Sequence, residues 1–312
     1  MKKEKINGSR ILLESLSRVG VTHMFGYPGG AVIPIYDEIY SFDKITHYFA
    51  RHEQGAVHEA DGYARASGKV GVCLATSGPG ATNLVTGIMT AHMDSIPLIA
   101  ITGQVGSNLL GKDAFQETDI VGITLPITKT NYLVQDIREL PRIVKESYYI
   151  ASTGRPGPVL IDIPKDVQVA EISFEEFENL FDKEIDLPGY DPTYKGHPRQ
   201  IEKAADFINK AEKPLIIAGA GVLKAKASKE LYEFAMKTNI PVTNTLLGLG
   251  CFPGDNELSL GMLGMHGTTY ANYAVDEADL IIAAGIRFDD RITGDPKTFC
   301  KNAKIIHIDI DP

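Results

Sequence analysis

The chain has no apolar run of the roughly 18 to 20 residues that a helix needs to cross a bilayer. It also lacks an excess of positive charge. The formal net charge is −9, whereas nucleic acid as a main partner would call for a basic face against its phosphates. The start, MKKEKINGSR, is basic, but no apolar stretch follows it, so no signal peptide is read there. Cysteine is scarce. Cys73, Cys251 and Cys300 have neither metal-ligand nor disulfide spacing, which leaves buried reduced thiols and a cytoplasmic location as the expectation.

What the chain does contain is length, glycine and alternation. At 312 residues it is too long for one ordinary core and suits two domains. Its 30 glycines fall beside strand-like runs, as expected of α/β loops that approach a ligand closely. Strand-like and helix-like segments alternate throughout, which predicts parallel sheets with crossover helices. Residues 6–19 put Ile11, Leu12, Leu16 and Val19 on one helical stripe, and Gly20 stops it. Strands are predicted at 21–25, 70–75, 96–102 and 159–163, the last closing the first domain. Residues 164–198 carry Pro164, Pro188, Pro192 and Pro198, several acidic residues and little periodicity; they read as a linker with a short helix at 174–181. Alternation then resumes with a helix over 199–211, a strand over 214–218 and a helix reaching 238. Further strands are predicted near 240–243, 279–284 and 304–310.

Ligands of open parallel sheets bind outside the carboxyl ends of the strands, so the loops there are the candidates. Gly219-Ala220-Gly221 begins like a dinucleotide-binding loop, but Lys224 stands at the expected third glycine. Arg51-His52-Glu53-Gln54-Gly55-Ala56 places a carboxylate where a strand passes into a helix, with Gly55 permitting close approach of another backbone. Taken alone, Glu53 reads first as a carboxylate that helps cap a helix start. His52, His58, His92 and His266 are not spaced as a metal set, so no metal site is expected among them.

The combination reads differently. Tyr27-Pro28-Gly29-Gly30, Glu53, Thr76-Ser77-Gly78-Pro79-Gly80-Ala81-Thr82-Asn83 and Ala114-Phe115-Gln116-Glu117 follow in this order, each after a plausible strand. Together they resemble the pyrimidine-binding domain of thiamine-diphosphate enzymes, most closely the acetohydroxyacid (acetolactate) synthase large chains. Gly103-Gln104-Val105, Thr153-Gly154-Arg155-Pro156-Gly157-Pro158, Gly261-Met262-Leu263-Gly264-Met265-His266-Gly267 and Arg287-Phe288-Asp289-Asp290-Arg291 extend the resemblance over essentially the whole chain. The implied fold class is α/β, with two parallel-sheet domains. These are a thiamine-diphosphate pyrimidine-binding domain over 1–165, the linker over 166–198, and a Rossmann-like FAD-binding middle domain over 199–312.

The resemblance implies a cofactor lying across a subunit interface, its aminopyrimidine held by the first domain. Glu53 would hydrogen-bond the ring nitrogen opposite the amino group, a task for a carboxyl group in a poorly solvated pocket, where proton sharing is favoured. Tyr27, Pro28, Gly29, Thr76, Pro79 and Asn83 would line the pyrimidine, and Gln116 would stand near the reaction centre. Phe115 would wall the acceptor pocket. Arg291 would hold the carboxylate of the second keto acid, since its planar fork pairs with a carboxylate through two charge-assisted bonds. Without the resemblance, Pro28 and Pro79 read as turn formers, Phe115 as core, and Arg291 as the partner of Asp289 or Asp290.

FAD would be a structural passenger, because the net reaction is not a redox one. Its expected contacts are Arg155, Gly219, Ala220, Gly221, Thr245, Leu246, Leu263, Met265, His266, Gly285, Arg287, Asp289 and Asp309. The implied activity is decarboxylation of pyruvate and condensation with a second pyruvate or with 2-ketobutyrate. The products would be 2-acetolactate or 2-aceto-2-hydroxybutyrate, on the way to branched-chain amino acids. A homodimer through the first domain and a small regulatory chain are further implications. Mg2+ and the diphosphate would be held by a third domain whose Gly-Asp-Gly and paired asparagines are not found in this sequence, so the chain by itself is expected to be inactive. Two other readings stand beside this one. One is a different thiamine-dependent carboligase or decarboxylase, such as glyoxylate carboligase, which lacks the glutamate. The other is a non-catalytic FAD-binding or assembly module.

Overall fold

The computed structural model describes residues 5–311. It divides between Asp191 and Pro192 into two compact units, each with its own parallel sheet.

The strands of the first unit are β1 (Lys5–Asn7), β2 (His23–Gly26), β3 (Thr46–Phe49), β4 (Gly71–Ala75), β5 (Leu98–Gln104), β6 (Thr130–Leu133), β7 (Pro158–Pro164) and β8 (Glu171–Ser173). Six of them form one sheet in the order β3-β2-β4-β5-β7-β6, parallel throughout. β4, β5 and β7 are buried along their whole length, which is why they read as nearly continuous apolar runs. Helices cover both faces. The helix Gly8–Arg18 is capped by Asn7, whose side chain accepts from the Arg10 amide at 2.8 Å. It buries Ile11, Leu12, Leu13 and Leu16 in a core shared with Leu140, Ile143 and Val144 of the helix Leu140–Ser152. On the other face the helix Glu53–Ser67 turns Ala56, Ala60 and Ala64 inward beside Cys73 and Ala75.

Residues 166–191, within the segment read as linker, pack on this first unit. β8 pairs antiparallel with β1, and the helix Phe174–Phe181 spans the stretch read as a short helix. Phe177 is fully buried, and the Arg18 guanidinium lies 4.7 Å over its ring while bonding to Glu178. Phe177, with Phe181 partly buried against the same core, thus holds down a segment whose prolines read as a linker.

The second unit contains β9 (Pro214–Ala218), β10 (Val242–Asn244), β11 (Ser259–Met262), β12 (Leu280–Ala284) and β13 (Lys304–Ile308). They form a parallel sheet in the order β11-β10-β9-β12-β13. Leu215 and Ile217 face one helical layer; Ile216 and Ala218 face the other.

Each sheet turns back at one edge and crosses past its starting strand, and the first turns back again at β6 before inserting β7. In the first, the chain runs from β2 outward to β3 and then returns to β4 on the other side of β2; in the second it runs from β9 through β10 to β11 and returns to β12. Loops leaving adjacent strands in opposite directions leave a crevice at the carboxyl ends, the usual ligand position in such sheets. The crevices therefore fall between β2 and β4, and between β9 and β12.

Candidate active site

In the first unit the crevice is built by three loops that glycine lets close on one another. A Cβ on Gly29 would come within 2.5 Å of Thr76 Cβ, and one on Gly80 within 2.6 Å of Thr76 Cγ2. Thr76 is buried and its Oγ1 accepts from the Ala31 amide at 3.0 Å, fastening the loop after β2 to the loop after β4. Tyr27 stacks obliquely against Phe49, ring centroids 5.5 Å apart. Pro79 opens the short helix Pro79–Thr82, where its missing N–H costs nothing.

Glu53 is the first residue of the helix Glu53–Ser67, preceded by His52, whose Nδ1 accepts from the Gln54 amide at 3.1 Å. Glu53 is 8% exposed. Asn83 Nδ2 donates to Oε2 at 2.9 Å. Oε1 has no such partner among the described residues and lies beside Gly80, 3.2 Å from where a Cβ would stand. The arrangement is a buried carboxyl with one oxygen held and the other facing the crevice. Gly55 makes no close approach within this chain, since a Cβ there would meet nothing within 4 Å. The expected backbone contact is therefore absent inside the described residues.

The loop after β5 brings Gln116 to the same edge. Gln116 adopts a left-handed backbone (φ 59°), and a Cβ on Gly78 would lie 2.8 Å from its carbonyl oxygen. Phe115 is 87% exposed and belongs to no core cluster, so the bland reading of it as core does not hold.

Several buried polar groups around this edge had no signal in their spacing. Tyr36 Oη and His47 Nε2 are buried with no hydrogen-bond partner, 2.6 and 3.1 Å from a Cβ placed on Gly26. Burial, with Cys73 and the Glu53 carboxylate adding to it, pushes the Tyr36 phenol above its ordinary value; burial pushes His47 below its own, favouring the neutral ring. Asp162, on β7, accepts from Thr102 Oγ1 at 2.6 Å and from Gln104 Nε2 at 2.9 Å. Burial pushes its carboxyl up to about 7, against the two hydrogen bonds, and the nearby Asp119 adds to the rise. The three cysteines are free and buried. Burial raises each thiol above its ordinary value, so none is poised as a nucleophile.

In the second unit the expected residues also gather at the carboxyl ends of the strands. Gly219, Ala220 and Gly221 follow β9, with Gly221 N donating to Gly285 O at 3.1 Å. Thr245 is buried and Leu246 exposed after β10. Met265 and His266 follow β11, and the Met265 amide donates to Arg291 O at 2.9 Å, tying that loop to the one after β12. There Gly285 (φ 60°) and Phe288 (φ 52°) are both left-handed. Arg287 and Asp289 pair at 3.8 Å. Arg291 is largely exposed, with Asp290 at 3.9 Å and Met265 Sδ at 3.5 Å. Asp309 follows β13, 3.7 Å from His307. Two further expected contacts have surroundings of their own. The Leu263 side chain is in the core with Ile217 and Ile281. Arg155 belongs to the first unit and precedes β7, its Nε donating to Ser95 Oγ at 2.8 Å, at the edge opposite Glu53. Among the described residues no group of His, Cys, Asp or Glu is placed to hold a metal ion, and no helix is long and apolar enough to cross a membrane.

Residues 6–123 match the family described as thiamine pyrophosphate enzyme, N-terminal TPP binding domain, and residues 201–312 match thiamine pyrophosphate enzyme, central domain. The chain belongs to the thiamine pyrophosphate enzymes. It is 57% identical over 315 residues to an acetolactate synthase of Arthrospira platensis, covering 99% of this chain and 54% of that one. It is 55% identical over 309 residues to an acetolactate synthase large subunit of Corynebacterium glutamicum, covering 99% of this chain and 49% of the other. A probable acetolactate synthase large subunit of Methanocaldococcus jannaschii is 55% identical over 307 residues, 98% of this chain and 51% of that one. The chain spans about half the length of the curated relatives it matches. Within this family, the crevice holding Glu53 and Asn83 lies in the domain that takes its name from the cofactor.

Proposed function

We propose that this chain supplies the pyrimidine-binding and FAD-binding units, 1–165 and 199–312, of an acetolactate synthase catalytic subunit. The observation that carries the reading is the buried Glu53 carboxyl in the β2–β4 crevice, with Oε2 held by Asn83 and Oε1 left toward the ligand space. Bound there, thiamine diphosphate supplies a carbon nucleophile and an electron sink for loss of CO2 from a 2-keto acid. Glu53 holds or releases the proton at the pyrimidine ring nitrogen, and Asn83 fixes its orientation. Thr76 keeps the Tyr27–Gly30 loop in place through Ala31, so Tyr27, Pro28 and Gly29 present a stable wall. Gln116 reaches the reacting end, and Phe115 shields the acceptor from water. Arg291 offers its exposed fork to the carboxylate of the second keto acid.

The substrates are pyruvate with pyruvate or 2-ketobutyrate, and the products feed branched-chain amino-acid synthesis. The loops after β9 to β13 would hold FAD as a structural group. The assembly is a cytoplasmic homodimer through the first unit, served by a small regulatory chain.

In an enzyme carrying this chain, Glu53→Gln should slow acetolactate formation by at least about tenfold, the range of an acid–base role. Unimpaired turnover by that variant would remove Glu53 from the mechanism. For the second unit, titration of the apo-chain with FAD, followed by flavin fluorescence, should show weak saturable binding. The loops are preformed, but binding must still order exposed side chains such as Leu246 and Met265. No saturable change up to about millimolar FAD, the weak end of measurable affinity, would count against a site built from Gly219, Gly221, Gly285 and Arg287.

A further inference from the structure

The loop between β5 and the helix Ile120–Thr124 contains one short 3-10 turn, Ser107–Leu109, and otherwise no regular structure. Yet it carries Gln116 in a left-handed backbone against Gly78. Something must hold it. Its ends are tied by Gln104, buried on β5, and by Asp166, on the short helix after β7. Gln104 Nε2 donates to Thr118 O at 2.8 Å, and Asp166 Oδ1 accepts from the Ser107 amide at 2.8 Å. The middle is tied by the loop's own side chain. Gly111, Asp113 and Gln116 all have positive φ, at 74°, 52° and 59°. This curl turns successive N–H groups inward, as in the backbone nests that bind anions. The anion here is the Glu117 carboxylate. It accepts from the amides of Gly111, Lys112 and Ala114, the last two at 3.3 and 2.8 Å, while the Glu117 amide donates to Ala114 O at 2.9 Å. The Ala114 and Gly111 amides hold the carboxyl below its usual range.

We infer that Glu117 is a positioning residue: its carboxylate fills the nest of the 111–117 turn and so sets where Gln116 meets the Gly78 loop. The inference rests on the reading of the β2–β4 crevice as the pyrimidine site. The hydrogen bonds of the side chain run to its own turn, so its effect on Gln116 passes through the backbone. Two non-glycine residues in the left-handed region are costly conformations that persist only when surrounding bonds over-determine them. Glu117→Gln keeps the length of the side chain but puts an NH2 group among converging N–H donors and removes the charge.

Amide hydrogen exchange followed by NMR on the full chain tests this directly. In Glu117→Gln, exchange at Gly111, Lys112 and Ala114 should quicken by about tenfold, as expected when charge-assisted bonds holding a local turn are lost. Amides of β5 and of the helix Glu53–Ser67 should keep wild-type protection. Adding thiamine diphosphate should shift the Gln116 side-chain amide resonances in the wild type and shift them less in the variant, while the Asn83 side-chain response is kept. Unchanged exchange in the turn would overturn the inference. So would an equal loss of protection throughout β5, which would make Glu117 a residue of the fold rather than of the loop. A wild-type chain whose Gln116 and Asn83 resonances ignore thiamine diphosphate would instead count against the pyrimidine-site reading, and the exchange data would still decide the role of Glu117.

Discussion

Asp162→Asn should become progressively more favourable to stability, relative to the wild type, as pH rises from about 4 to about 8. Asp162 is 1% exposed, and its carboxyl is pushed from 3.8 up to about 7 by burial. A raised carboxyl means that the folded chain binds a proton which the unfolded chain releases. The stabilising contribution is therefore fully present below the unfolded value, near 4, and is lost as pH climbs through the folded value near 7. At about 1.36 kcal/mol per unit, the whole change is on the order of 4 kcal/mol, a large share of a domain's stability. The hydrogen-bond pattern tolerates the amide. Asn Oδ1 can accept from Gln104 Nε2 while its NH2 donates to the Thr102 hydroxyl, the role taken by the protonated acid. Urea unfolding of both proteins across this pH range measures the difference. A stability gap that stays flat from pH 4 to 8 would mean that Asp162 does not titrate in the folded chain in this window.

Asp162 lies inside a strand that its apolar neighbours define. The run 159–163 reads as the last strand of its unit, and nothing in that reading singles out the acid inside it. An acidic residue in the middle of a strand buried on both faces is itself a signal, since it must find donors, here Thr102 and Gln104. The strands read correctly were mostly central ones: β4, β5, β7, β9 and β12. Of the strands without bounds in the sequence reading, β6 and β11 are edges of their sheets, β1 and β8 make up the two-stranded one, and β3, also an edge, is legible only as the strand that leads into Glu53. Edges have one neighbour and partial exposure, so Thr46–Phe49, Thr130–Leu133 and Ser259–Met262 carry no continuous apolar run. The candidate site was legible in a different way. Glu53 alone looked like a helix cap, and only the ordered set of loops with Tyr27, Thr76, Asn83 and Gln116 pointed to chemistry. What no spacing could reveal was contact between loops. Examples are the Asn83 amide on Glu53, the Gly78 backbone against Gln116, and the orphaned pair of Tyr36 and His47.

Gly219→Ala should destabilise the second unit by about 3 kcal/mol, at the upper end of the usual cost of overpacking. The position has an ordinary backbone (φ −110°), so the penalty is one of space and not of conformation. A Cβ there would lie 2.2 Å from Gly285 O and 2.6 Å from Ile286 Cγ2. The isoleucine methyl can turn away; the carbonyl cannot. Gly285 O accepts from Gly221 N at 3.1 Å, and Gly285 N donates to Ile308 O at 2.8 Å, so moving it breaks bonds on both sides of the β9–β12 crevice. Gly219 itself is tied to Ala284 O at 2.9 Å, and the Gly248 loop closes on Ala218 O from the third side. The glycines that suggested a nucleotide loop are thus required for the loops after β9, β10 and β12 to pack at all, whatever ligand they hold. Gly254→Ala is the matched control, because a Cβ there would meet nothing within 4 Å, and it should change stability by less than about 0.5 kcal/mol. Urea midpoints of the two variants, with FAD absent, separate the effects. A Gly219→Ala protein as stable as Gly254→Ala would show that the β9 and β12 loops are further apart than this packing requires.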